Sequence, residues 1–386
     1  MIKLKKSISL ILLVLLLLTL LVGCGKKDEV VDTQTEVNGN DVTNEIPEIQ
    51  FSWGLDLHTA LPFIPLNRVE EFKERGIYLN ALSDDKYELI EDGKPLAVLS
   101  FVSTKGGSEV ATMMGQGHLD AALSSNTAIL TAIDSGTDIK ILCPIQTGGI
   151  SFVFSPDIHA KGWEEVKEYI SNSEAPVMIG YHSPVSGPRI LIETILKKEG
   201  FKITEDPNQI DADVLMVDLK GQNNLIPSLS SKQVDAWVGP TAYPEIAESK
   251  GMGNIAMNLK DFPPIDTWTN FPCCVYSVRE EVLNKYPEVF RAFARLLNET
   301  CNYAMENKED AAKIFSDVVG VEKETVEKST ITYTTNPDEN WLKGINVYVD
   351  GLNEMGKFSG RFKDKSFDEV VEKAFDFSYI KNVRGE

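Results

Sequence analysis

Side chains that commonly carry chemistry are sparse in this 386-residue chain. The four histidines, His58, His118, His159 and His182, include no pair at i, i+4, the spacing that puts two imidazoles on one helix face for a zinc ion. The five cysteines include no C-x-x-C pair. Cys273 and Cys274 are adjacent, which suits neither a zinc knuckle nor an ordinary disulfide, so burial in a strand is expected of them. With Cys143 and Cys301 they leave two readings open, one disulfide or buried free thiols. No Gly-x-Ser-x-Gly elbow, His-Glu-x-x-His helix or phosphate-cradling Gly-x-x-x-x-Gly-Lys-Ser/Thr loop occurs. Asp84-Asp85 and Glu164-Glu165 sit in polar contexts and read as solvated surface. No catalytic residue, metal site or cofactor is therefore expected. The chemistry that remains is noncovalent recognition by small polar residues where strands end and helices begin, because the first N–H groups of a helix lack partners.

Cys24 is the one cysteine in a context that implies covalent modification. Lys3, Lys5 and Lys6 precede an apolar run from Ile8 to Val22, 15 residues long, broken only by Ser9 and Thr19. A helix needs about 20 apolar residues to span a bilayer, so this run reads as an export signal covering residues 1–23. It ends in Leu21-Val22-Gly23-Cys24, which resembles the bacterial lipobox. The resemblance implies a diacylglyceryl thioether on Cys24 and cleavage that leaves it as residue one. Residues 24–48 then form the lipidated cysteine and a flexible tether, without an aromatic residue and too polar to offset ordering entropy. Such a tether spans about 25–30 Å root-mean-square. Removing residues 1–23 takes away three lysines and no acid, so the mature chain is three units more negative than the formal −20. That balance argues against nucleic acid and anionic headgroups as partners.

From Ile49 onward short strands and helices alternate. Ile49 to Trp53 reads as a strand and Leu66 to Lys73 as a helix. Tyr87–Ile90 and Leu96–Phe101, joined by Glu91-Asp92-Gly93-Lys94, read as a hairpin. Further strands are expected at 119–123, 139–143, 152–154, 177–179, 214–217, 234–238 and 255–257, and helices at 110–114, 128–133, after Gly162, at 188–198 and after Pro240. Alternation of this kind implies an α/β protein with mostly parallel sheets flanked by helices. Beyond Pro287 the pattern turns helical: Val289, Phe290, Phe293, Leu296, Leu297, Cys301 and Ala304 recur at helical spacing. No Gly- or Ser-rich linker separates that part from the rest, so it is expected to pack back on the first lobe.

One internal echo stands out. Gly117-His118-Leu119-Asp120-Ala121-Ala122-Leu123 and Lys232-Gln233-Val234-Asp235-Ala236-Trp237-Val238 share the pattern polar-polar-apolar-Asp-Ala-x-apolar, 115 residues apart. Each is followed by small polar residues and a Thr-Ala pair, Thr127-Ala128 and Thr241-Ala242. Two similar α/β lobes would produce it. Together with Pro287-Glu288-Val289 and Asn307-Lys308-Glu309-Asp310-Ala311-Ala312, these motifs make residues 49–356 resemble the NitT/TauT (nitrate, sulfonate, bicarbonate) group of ABC-importer solute-binding lipoproteins. The resemblance implies a type II periplasmic-binding clamshell, with lobe one at 49–143 and 272–386 and lobe two at 144–271. The crossings are placed near Cys143–Gln146 and Trp268–Cys274.

A clamshell of that kind would be lined by Asp56 and His58; Ser124, Asn126 and Thr127; Gln146 at the hinge; Ser183, Ser186 and Gly187; Gly239, Thr241 and Tyr243; and Trp268 and Asn270 on the return. Ser186 and Thr241 could equally cap their own helices. Little basic character surrounds these loops, while Trp53, Tyr181, Tyr243 and Trp268 suit a partly aromatic ligand such as a sulfonate or a pyrimidine, or else pack the lobes. The implied function is capture of a small organic anion or aromatic solute and delivery to an ABC permease and its ATPase by a membrane-anchored monomer. A ligand-sensing or adhesive surface lipoprotein without an importer is the alternative. Enzymatic activity is not expected.

Overall fold

A computed structural model of the chain describes residues 46–265 and 267–385. The expected signal segment, Cys24 and the tether up to residue 45 lie outside the described residues. No described helix is long and apolar enough to cross a membrane.

Two sheets organise the molecule. The first is built from β1 (Glu48–Ser52), β2 (Ile77–Ala81), β3 (Lys86–Glu91), β4 (Lys94–Phe101), β5 (Ala121–Ser125) and β6 (Ile139–Gly148), and its order places β14-β6-β13-β5-β1-β4-β3-β2 side by side. The second holds β7 (Ile150–Phe154), β8 (Val177–Tyr181), β9 (Ile203–Thr204), β10 (Val214–Asp218), β11 (Ala236–Pro240) and β12 (Asn254–Asn258), in the order β12-β7-β11-β8-β10-β9. The chain then returns as β13 (Pro272–Arg279) and β14 (Ile331–Tyr333) to complete the first sheet.

Both sheets are mixed: the second keeps the expected parallel majority, with β9–β10, β10–β8 and β8–β11 parallel, whereas the first is mostly antiparallel, which corrects the expectation there. In the first, β1 runs parallel to β4 and β5, whereas β2–β3, β3–β4, β13–β5, β13–β6 and β14–β6 are antiparallel. The cause is local. Asp92 and Gly93 both take positive φ, 49° and 79°, the backbone of a two-residue hairpin whose twist matches its strands. β2, with Ile77 and Leu79 buried in alternation, extends that hairpin into a meander. β13 slots antiparallel between β5 and β6 on its way back. The crossing out of the first sheet falls at Gly148–Gly149, between β6 and β7. Gly148 has φ 74°, and a Cβ there would sit 2.8 Å from the Thr330 carbonyl oxygen, so only glycine fits.

The Pro287–Glu306 helix carries the predicted apolar stripe, and all seven stripe residues are buried against the first sheet. The Glu339–Glu354 helix behaves differently. It packs on the Gly187–Lys198 helix beside the second sheet, with Gly351 against Ile190 and Thr194, and Gly344 against Phe271 and Pro272. It shares one core with Ile190, Leu191 and Ile195.

The Pro287–Glu306 helix is pinned to the hairpin by a half-buried carboxylate. Glu91 receives Arg295 at 2.9 Å and Arg291 at 2.5 Å. Burial pushes the Glu91 carboxyl upward, but the two guanidinium groups outweigh it and hold it below its ordinary 4.5. A carboxyl depressed by folding stabilises the fold above its unfolded value and loses that contribution as pH falls through the folded one. Glu91→Gln should therefore melt below wild type near neutrality, and the gap should close below about pH 4. A gap of constant size across melts from about pH 3 to pH 7 would assign the effect to something other than this charge.

Candidate functional site

The Asp echo turns out to be structural, and it orients everything else. Asp120 accepts the Gln50 N–H through Oδ2 at 2.9 Å while its own N–H donates to the Gln50 carbonyl at 2.9 Å. Asp235 repeats this on Met178, with 2.9 Å for both bonds. Each Asp thus clasps the neighbouring parallel strand just as its own strand begins, which fixes β5 beside β1 and β11 beside β8. The loops beyond those strands follow from that registration.

Past β1 the chain makes a turn closed by Asp56, whose carboxylate accepts the His58 N–H at 2.8 Å and the Thr59 hydroxyl at 3.2 Å. The turn drives His58 inward. Its Nδ1 lies 3.2 Å from Cys273 Sγ and 2.6 Å from Gln146 Nε2. Asn126, at the start of the Asn126–Asp134 helix, donates to the Cys273 carbonyl at 2.7 Å. Cys273 and Cys274 Sγ are 3.9 Å apart, both buried on β13. His58, Asn126 and Gln146 therefore converge on Cys273, and Ser124, on β5, pairs with the next residue but one, Val275.

Several polar atoms here are buried without a protein hydrogen-bond partner: Nε2 of His58, Oγ of Ser124, Oδ1 of Asn126, Oε1 of Gln146, Nδ1 of His182, Oε2 of Glu245 and Oη of Tyr348. Leaving such a group unpaired typically costs about 1–3 kcal/mol, so a cluster of them marks a place built for something polar. The Cys274 thiol and the neighbouring His58 hold Cys273 well below the ordinary thiol range despite its burial. Burial works against charge on His58, yet Cys273, Asp56 and Glu245 raise its pKa overall. Burial, then the charge of His58, lowers His182 to about 4.

Five of these residues escaped the sequence reading: Cys273, Cys274, His182, Glu245 and Tyr348. His182 directly precedes Ser183 at the end of β8, so the strand-end rule could have included it. Nothing local marks Tyr348, which reaches the site from the Glu339–Glu354 helix. The expectation of no metal-ligating set meets one trio among the described residues: His58, Cys273 and Cys274 have donor atoms all within 4.8 Å of one another. A spacing of 215 residues hides it from any motif.

The other candidates are occupied within the fold. Thr241 donates to Glu245 at 3.0 Å, Tyr243 to Asn223 at 2.9 Å, and Asn270 to Asp338 at 2.7 Å. Trp268 donates to the Phe262 carbonyl at 2.8 Å and packs edge-on against Phe271. A Cβ on Gly239 would meet Leu225 and Trp237 at 2.9 Å, so that glycine serves packing. Arg189 is buried, stacked 4.1 Å from the Tyr181 ring centroid and paired with Glu193 and Glu205.

Near the starts of the Asn126 and Gly187 helices, side-chain bonds join the halves. Thr127 Oγ1 donates to the Val185 carbonyl at 2.7 Å, and the Ser108 and Ser183 hydroxyls meet at 2.9 Å. Ser186 turns its hydroxyl back to the Ser183 carbonyl at 2.9 Å and makes no side-chain cap, and the Asn126–Asp134 helix has none either. Two helix N-termini from opposite halves thus sit near each other with uncapped N–H groups. Between them Gly187 has no spare room, for its Cβ would lie 2.7 Å from Tyr348 Oη. Gly187→Asp should accordingly destabilise the unliganded protein by about 1–3 kcal/mol through overpacking. An unchanged denaturant midpoint would mean that Tyr348 yields freely.

Residues 79–319 match the sequence model of the NMT1-like family. The chain belongs to that family. Several solved structures similar to this NMT1-like chain are solute-binding proteins by their names. The zinc-bound ligand-binding component of an ABC-type import system from Staphylococcus aureus shares 14% identity, with 87% of this chain and 99% of that one covered and a TM-score of 0.65. The periplasmic nitrate-binding protein NrtA of Synechocystis PCC 6803 shares 12%, covers 88% and 89%, and scores 0.63. The aliphatic sulphonate-binding protein SsuA of Escherichia coli shares 11%, covers 88% and 99%, and scores 0.60. At these identities the likeness is one of fold, the type II periplasmic-binding architecture. An uncharacterized protein of Methanocaldococcus jannaschii is 29% identical over 146 residues, 37% of this chain and 91% of its own.

Proposed function

We propose that this NMT1-like protein is the extracytoplasmic solute-binding component of an ABC importer, capturing a small organic anion or aromatic solute between its two lobes. The observation that carries the reading is the pair of uncapped helix N-termini, at Asn126 and Gly187, drawn together by the Thr127–Val185 bond among unpaired polar atoms of both halves. Helix N-termini act as partial positive charges, each contributing about 0.3–1 kcal/mol to an exposed anionic group and more to a buried one. The names of the structural neighbours, which include nitrate and sulfonate binders, support the solute class. Solute bridging the halves would favour the closed arrangement by its differential affinity for it. Lobe two then comprises about residues 149–271, its start set by the Gly148–Gly149 crossing rather than at 144, and delivery to the permease follows from closure.

Native mass spectrometry of the full chain purified from its host identifies the solute, and a thermal-shift panel confirms it. A closed protein that neither retains nor gains stability from any anion or aromatic solute of that size would refute the reading. Anchoring rests on Cys24. Stable anchoring takes more than one acyl chain, as a diacylglyceryl thioether provides. Cys24→Ala should move the protein from the membrane to the soluble fraction, and unchanged sedimentation with membranes would remove Cys24 as the anchor.

A further inference from the structure

We propose that His58, Cys273 and Cys274 form a binding site for a borderline-soft cation of the zinc class, at the place where the return strand β13 meets the first half. The site goes beyond solute capture and does not depend on it.

Adjacent residues of a regular strand point to opposite faces, so vicinal cysteines should not share a target. Here the β13–β6 register shifts between Pro272 and Cys274 and again between Cys274 and Val275. With the strand bulged at both places, the two thiol sulfurs lie 3.9 Å apart rather than on opposite faces. The spacing suits chelation. A tetrahedral ion at about 2.0 Å from nitrogen and about 2.3 Å from sulfur holds its sulfurs about 3.8 Å apart and its nitrogen about 3.5 Å from each sulfur. The observed separations are 3.9 Å between sulfurs and 3.2 Å from His58 Nδ1 to Cys273 Sγ. Those two separations are within a few tenths of an ångström of a loaded site, and the third, from His58 to Cys274, is no more than 4.8 Å.

The surroundings provide for the rest of the coordination. Gln146 is fully buried, with its amide against the His58 ring and its Oε1 unpaired, and the amide's oxygen and nitrogen ends can exchange. With Nδ1 on the ion, His58 Nε2 is the nitrogen that needs a supporting acceptor; it is buried and has no protein partner, so water or solute would have to supply one. Two thiols and an imidazole favour zinc-like ions over magnesium or calcium, which take oxygen ligands. Three protein donors leave one position open, as zinc sites that exchange a ligand do.

The test uses the full chain, reduced and stripped with a chelator, then titrated with Co2+ and afterwards with Zn2+. One equivalent of Co2+ should give a thiolate-to-cobalt charge-transfer band, and Zn2+ should abolish it. Cys273→Ser and Cys274→Ser should each remove the band and weaken Zn2+ binding at least about a hundredfold. Cys143→Ser, a buried thiol elsewhere, should keep it. Should either serine variant fail to fold, His58→Gln carries the same expectation without touching the strand. No stoichiometric band in the wild type would overturn the site, as would a band of undiminished strength in the Cys273, Cys274 or His58 variants. A Cys273–Cys274 disulfide that re-forms as soon as the reductant is withdrawn, with no ion bound beforehand, would overturn it too. Solute capture is read separately in the Asn126 and Ser124 region by thermal shift in chelator, so either idea can fail alone.

Discussion

Ser124→Ala and Tyr348→Phe should each weaken binding of the identified solute by about tenfold to a hundredfold while the unliganded protein melts as wild type does. The asymmetry comes from the hydroxyls themselves. Both are buried and neither has a protein partner, so deleting them removes no bond from the free protein. Removing an unpaired buried polar group is close to neutral, whereas losing a polar contact to ligand in a dry site costs about 1–3 kcal/mol. Asn126→Ala is a poorer probe, because Asn126 also holds the Cys273 carbonyl at 2.7 Å and its loss would disturb β13. Isothermal titration with the solute, alongside thermal melts of the free variants, decides the matter. Wild-type affinity in both variants would move the solute away from this cluster.

The second large effect is on folding. Phe293→Ala should cost about 3–5 kcal/mol, the usual penalty for emptying a buried aromatic site. Phe293 is 1% exposed, with ring centroids 4.5 Å from Phe51 and 5.2 Å from Tyr276. It thus ties a helix from late in the chain to β1 and β13 at once. Over roughly 340 residues, at about 2.1 cal/mol/K per residue, that penalty lowers the melting temperature by about 4–7 °C. Calorimetry showing a drop under about 1 °C would mean the helix is an appendage rather than part of the first-half core.

Elements that depend on local chemistry were legible in the sequence. The Asp92-Gly93 hairpin and the stripe from Val289 to Ala304 were read from turn residues and from period, and the structure places both as expected. Strand direction was legible only where a hairpin or a strand–helix–strand unit set it. Alternating strands and helices imply parallel pairing, but β13 returns from a remote part of the chain, and its antiparallel placement between β5 and β6 follows from connectivity alone. The echo around Asp120 and Asp235 was visible as pattern, while its meaning needed the partner strands. The candidate cluster divides the same way. His58, Asn126 and Gln146 follow strand ends or sit at a crossing, where a rule could find them. Cys273, Cys274 and Tyr348 arrive through long-range packing and a bulged strand, for which no sequence spacing exists.

The Glu339–Glu354 helix has a mechanical consequence. Gly344 seats it on Phe271 and Pro272, where the chain re-enters the first sheet, and Gly351 seats it on Ile190 and Thr194 beside the second. Between them Tyr348 presses on Gly187. The two halves are therefore geared through this helix as well as strung together by the chain crossings. A swing of one half must roll or slide the helix over glycine-sized gaps, and close approach is possible only because those positions lack side chains. A Cβ at 344 would sit 2.1 Å from Pro272 Cδ and one at 351 would sit 2.8 Å from Thr194 Oγ1, so in the proposed hinge motion a methyl group at either position would force the helix off its seat.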